Sequence, residues 1–119
     1  MTLDAPIWIV FVNDNFHYMD SEKTWRKGEY SDYQTALSVC RQIVDSCLEE
    51  YLPECNSADQ LYDRYVSFGD DPYIVPDDGE PRFSAWSYAR ERCDLLFKEE
   101  EKGSQNSIGS FLKGLLGLR

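Results

Sequence analysis

Residues Ile7–Tyr18 read IWIVFVNDNFHY, and the reading of this stretch decides the fold. Six apolar residues run unbroken from Ile7 to Val12. A continuous apolar strand of that kind is buried on both faces. Asn13-Asp14-Asn15 interrupts the run with residue types that make Asx turns and tolerate left-handed backbone. Phe16-His17-Tyr18-Met19 then resumes it. The pattern predicts a strand over 7–12, a hairpin loop at 13–15 and a second strand over 16–19. After the polar Asp20–Lys23, the alternation in Thr24–Tyr30 predicts a third strand. Its Trp25, Lys27 and Glu29 mark a half-exposed edge, where charge discourages pairing between sheets.

Helical periodicity takes over downstream. Ser31 followed by Gln34 reads as a capping box. Tyr33, Ala36, Leu37, Cys40, Val44, Cys47, Leu48 and Tyr51 then recur on one face, and Pro53 stops the helix. Ser57 with Gln60 repeats the box, Leu61, Tyr65 and Phe68 continue the stripe, and Gly69 ends it. A third helix is expected from Ser84 as N-cap, with Phe83 and Tyr88 forming a hydrophobic staple. Trp86, Ala89, Cys93, Leu96 and Phe97 would make its apolar face. The expected fold class is α+β: a three-stranded antiparallel meander covered by three helices, plus a C-terminal amphipathic tail helix. Residues 1–102 form one domain on this reading, and residues 103–119 a flexible linker and tail. The tail repeats an apolar stripe at Ile108, Phe111, Leu112 and Leu115. It carries Lys113 and Arg119, whereas the preceding 102 residues hold every acidic side chain.

Composition narrows the function classes. The chain of 119 residues has 12 basic and 22 acidic side chains and a formal charge of −10, so direct nucleic-acid binding, which needs a basic face, is disfavoured. An aromatic share of 14% argues for a packed core and against disorder. No export leader is expected, because the apolar run 7–12 is short and follows Asp4. No stretch approaches the roughly 20 apolar residues of a membrane span. The expected compartment is the cytoplasm. Cys40, Cys47, Cys55 and Cys93 contain no CxxC pair and read as small buried thiols, with no metal or other cofactor implied.

Four segments in order carry a resemblance: VNDNFHYMD at 12–20, GEY at 28–30, FGDDPYIV at 68–75 and FSAWSYARERC at 83–93. Together they resemble a group of short bacterial proteins with no known activity. The resemblance spans about Ile7–Cys93. It implies a bacterial-type cytoplasmic domain and carries over no catalytic residues.

Three constellations are candidates for chemistry or binding. Asp14, His17 and Asp20 combine a neutral-pH proton carrier with carboxylates, the elements of a small acid/base or metal-assisted enzyme. Their ordinary reading is two turn aspartates and one strand histidine. The acidic run Asp70–Glu80 surrounds Tyr73, Ile74 and Val75, an apolar anchor within a charged rim, as protein interfaces use. Cation binding and a plain solvated loop are the competing readings, and EF-hand spacing is absent. Ser84 lacks a GxSxG setting and is explained as a cap, and neither GxGxxG nor a Walker motif occurs. The leading expectation is a non-enzymatic acidic adaptor, inhibitor or regulatory subunit. Its partner would be met by Tyr73, Ile74 and Val75 and by the tail residues Ile108, Phe111, Leu112 and Leu115, with self-association as an option for the tail. The alternatives are the enzyme built on Asp14, His17 and Asp20, and an inhibitor mimicking nucleic acid.

Overall fold

The structure, a computed structural model, describes residues 6–17 and 23–103. Strands β1 (Trp8–Asp14), β2 (Thr24–Tyr30) and β3 (Asp70–Val75) form one antiparallel sheet in the order β2-β1-β3. Helices α1 (Tyr33–Tyr51), α2 (Ala58–Phe68) and α3 (Ala85–Gly103) complete an α+β fold. The apolar run of the opening stretch is the central strand, but it is fully buried on one face only: Val10 and Val12 are buried, whereas Ile9 and Phe11 on the other face are half-buried.

The origin of the third strand differs from the sequence reading. Asn13 and Asp14 extend β1 instead of forming a loop, and Asn15–His17 is a single turn of 3-10 helix. Residues 18 and 19, the rest of the expected second strand, lie outside the described residues. The turn is held by one local and one distant bond: the Asp14 carboxylate accepts the Phe16 N–H at 2.9 Å, and Asn15 N–H donates to Gly69 O at 3.0 Å. The second partner of β1 is the acidic segment 70–75, with Val10 opposite Ile74 and Val12 opposite Pro72. On the other side, Val10 faces Gly28 and Phe11 faces Arg26. Lys27 is therefore the extra residue of a bulge that bends the outer strand.

Caps fix the helices. Asp32, not Ser31, caps α1, accepting from Thr35 N at 3.2 Å and Thr35 Oγ1 at 2.9 Å, because Asp32 is the extended residue directly before the first helical turn. Ser57 accepts from Gln60 N at 3.1 Å, and the Gln60 side chain reaches back to Asn56 N–H at 2.7 Å. Ser84 accepts from Ser87 N at 3.3 Å, and the Phe83 and Tyr88 rings sit 5.9 Å apart as the expected staple.

α1 serves two cores. Its first half lays Ala36, Leu37 and Cys40 on Val10, Val12 and Ile74 of the sheet. Its second half packs Val44, Cys47 and Leu48 against Leu61 and Tyr65 of α2 and Ala89, Cys93 and Leu96 of α3. The opposite face of the sheet presents Ile9, Phe11 and Tyr73, each half-buried. Tyr33 pins the loop after β3: its hydroxyl donates to Pro81 O at 2.5 Å, and its ring lies so close over Gly79 that a Cβ there would collide with it. The cysteines are free thiols, and burial pushes Cys40 and Cys93 up to about 12 and Cys47 up to about 11. No described helix is long and apolar enough to cross a membrane.

Candidate functional site

Asn15 is the buried polar residue at the place where β1, α2 and α3 meet, and it is only 6% exposed. Its Nδ2 donates to Tyr65 O at 3.1 Å, and its Oδ1 accepts from Trp86 Nε1 at 3.3 Å. With the bond to Gly69 O, one side chain and its backbone join three elements. Satisfied buried amides of this kind fix geometry, because losing a partner costs more than the bond itself gains. The Tyr65 hydroxyl donates to Asp70 O at 2.5 Å, tying the end of α2 to the start of β3.

The residues around Asn15 are apolar and outward-facing. Phe16 and Phe68 stack with centroids 5.4 Å apart, yet they remain 61% and 52% exposed. Trp86 adds a third ring at 37% exposure. A stacked pair left this open on a rigid junction is a surface feature that folding alone does not require. The sequence reading placed Phe68 and Trp86 on the apolar stripes of their helices; both lie at helix ends and stay partly exposed.

Beside the junction, Asp14 and Asp70 face each other across the β1–β3 ladder. Burial raises the Asp70 carboxyl from its ordinary value, and the neighbouring charges of Asp14 and Glu50 add to the effect. One step along β3, burial alone pushes Asp71 up to about 6. Asp71 and Tyr73 share the sheet face that rims a groove of about 370 Å³, completed by Phe83, Ser84 and Trp86 from the start of α3.

The sequence candidates are placed as follows. Asp14 ends β1, where its carboxylate holds the 3-10 turn. The side chain of His17, and Asp20 altogether, lie outside the described residues. Tyr73 is half-buried and stacked on Phe11 at 5.7 Å, and Val75 is 41% exposed. Ile74 is 8% exposed and belongs to the core under the sheet, because strand alternation turns it away from its two neighbours. The tail residues Ile108, Phe111, Leu112 and Leu115 lie outside the described residues. Among the described residues no three His, Cys, Asp or Glu side chains come together as a metal-binding set. Sequence reasoning missed Asn15, Phe16, Phe68 and Trp86 as one surface. The contacts that unite them span 50 and 71 residues, and no local pattern signals them.

No protein-family model matches the chain, and neither a curated protein nor a solved structure shows significant similarity to it.

Proposed function

We propose that the chain is a bacterial-type, non-enzymatic acidic interaction module, an adaptor, inhibitor or regulatory subunit acting in the cytoplasm. The observation that carries this reading is the stacked, more than half exposed Phe16–Phe68 pair, held on the junction that Asn15 organises. Rigid aromatic rings bring large contact area with little ordering cost, and such rings dominate interface energetics. On this reading Tyr73 and the exposed Val75 add a further contact, and Ile108, Phe111, Leu112 and Leu115 another. The net charge of −10 favours a basic partner surface and speeds its encounter.

The test replaces both Phe16 and Phe68 by Ser and compares capture of the native-host partner with thermal stability. The expected outcome is loss of capture with the melting temperature nearly unchanged, because both rings are already solvated. Unchanged capture, or a large fall in melting temperature, would overturn the assignment.

A further inference from the structure

The groove between β3 and the start of α3 combines aromatic walls with a single carboxylate. Tyr73, Phe83 and Trp86 line it, and Asp71 lies on its rim. Each ring is held in place by another contact. Tyr73 stacks on Phe11 at 5.7 Å, Phe83 rests against Tyr88 at 5.9 Å, and Trp86 donates its Nε1–H to Asn15 Oδ1 at 3.3 Å. The walls of this open groove are therefore set before any ligand arrives. Its volume of about 370 Å³ admits a charged head together with part of its stem.

The lining decides the ligand class. Ring faces carry negative potential and attract cations, most strongly at tryptophan. Among the described residues no basic side chain lines the groove, and the ladder neighbour of Asp71 on β1 is the uncharged Asn13. An anion would meet Asp71 directly. An uncharged apolar group would bury that carboxylate further without pairing it. A hard metal ion needs several oxygen ligands and would find one carboxylate here. The first turn of α3 contributes about half a positive charge, which opposes a cation, but Asp71 supplies a full negative one. Guanidinium is planar, weakly hydrated and able to stack on rings while bonding a carboxylate, so it gains more from this lining than a compact ammonium does.

We propose that the Asp71–Tyr73–Phe83–Trp86 groove receives an arginine side chain from the protein partner. This rests on the interaction-module reading and specifies the chemistry of what that module meets. The raised Asp71 carboxyl fits an acid held in a poorly solvated rim, where an incoming guanidinium replaces lost hydration.

The test uses the full chain, isotopically labelled, titrated with acetyl-Gly-Arg-Gly-amide and with the uncharged citrulline peptide of the same shape. Saturable shifts are expected at the Trp86 indole and at residues 71–73 and 83–86, with a millimolar dissociation constant for a single anchored side chain. The citrulline peptide, Asp71→Asn and Tyr73→Leu should each weaken binding by about five- to tenfold. Affinity should also fall on going from about pH 7.5 to about pH 5, as Asp71 gains its proton. Equal binding of the citrulline peptide, shifts confined to other acidic segments, or indifference to Asp71→Asn would overturn the proposal. Phe16→Ser with Phe68→Ser leaves the groove residues intact and separates the two readings. If the arginine peptide fails to bind while that double variant still loses its partner, the groove assignment alone falls. If the peptide binds as described, the groove assignment holds whatever the double variant does to capture.

Discussion

The two halves of α1 bury similar residues against different surroundings. Toward its start, Ala36, Leu37 and Cys40 lie on a pleated surface of Val10, Val12 and Ile74. Toward its end, Val44, Cys47 and Leu48 enter a helical core with Leu61, Tyr65, Ala89 and Cys93. The helical half is also closed by polar contacts. The Tyr88 hydroxyl donates to both Asp45 oxygens at 3.1 Å, and Arg92 Nε lies 3.3 Å from Asp45 as an ion pair without hydrogen-bond alignment. The sheet half keeps Phe11 and Tyr73 half-solvated on its far face and carries the arginine-sized groove along its edge. The helical half is the more closed of the two, whereas the far face of the sheet and the rings around Asn15 reach solvent.

The largest expected effect tests whether the halves are one unit. Leu37→Ala in the sheet core and Leu61→Ala in the helical core should each cost about 3 kcal/mol, the usual range for emptying a buried leucine site. Because α1 belongs to both cores, each variant should still unfold in one transition with coincident circular dichroism and tryptophan fluorescence. A second transition in either variant would show that the halves are separable.

A smaller effect is expected at the seam. Asn15→Ala removes the acceptor of Trp86 Nε1 and the donor to Tyr65 O, and should cost about 2 kcal/mol in denaturant unfolding. Hydrogen exchange should accelerate first at Phe16 and Gly69, whereas a loss below about 0.5 kcal/mol would make the junction incidental to the fold.

The smallest effect is electrostatic and confined to the sheet half. The folded-state pKa of Asp71 is raised to about 6 from an ordinary 3.8, so the folded form holds its proton more tightly than the unfolded chain does. Its ionised form is the destabilised one. Asp71 therefore opposes folding above about pH 6, and stability is recovered as pH falls from about 6 toward 4. After allowance for solvent screening the gain is about 1 kcal/mol. Asp71→Asn should raise the melting temperature at neutral pH and flatten this part of the profile relative to the parent chain. A parent chain that loses stability over the same window, with Asp71→Asn unchanged, would mean that other carboxylates dominate.

Local rules reached far in this chain. The stripe of α1, the Ser57–Gln60 cap and the Phe83–Tyr88 staple depend on spacings of three to five residues, and all are present in the structure. The central strand was legible because its apolar run shows no polar alternation, although only the Val10–Val12 face is fully buried. β3 was legible only as an acidic run around Tyr73, Ile74 and Val75 and not as a strand of the sheet, since Asp70-Asp71-Pro72 has the composition of a loop. It becomes a strand because β1 needs a second partner and Pro72 and Ile74 fill the face under α1. Phe16 drew the reading toward a hairpin because apolar residues resume there. The turn forms instead because Asn15 finds partners on α2 and α3, which lie far off in sequence. The groove was illegible for the same reason: Asp71 and Trp86 come together only once β3 has taken its edge position.

The strand order has a consequence for synthesis on the ribosome. β1 emerges before β2 and pairs with it through a short connection, but its other edge must wait for residues 70–75. Until then, the most apolar strand of the protein offers a row of unpaired backbone groups, a template for pairing with another chain. Closing the longer span adds little loop entropy once α1 and α2 have formed between the two strands. A nascent chain that ends between α2 and β3 is therefore the form most exposed to aggregation and chaperone capture, and six residues, Asp70–Val75, mark its passage out of that state.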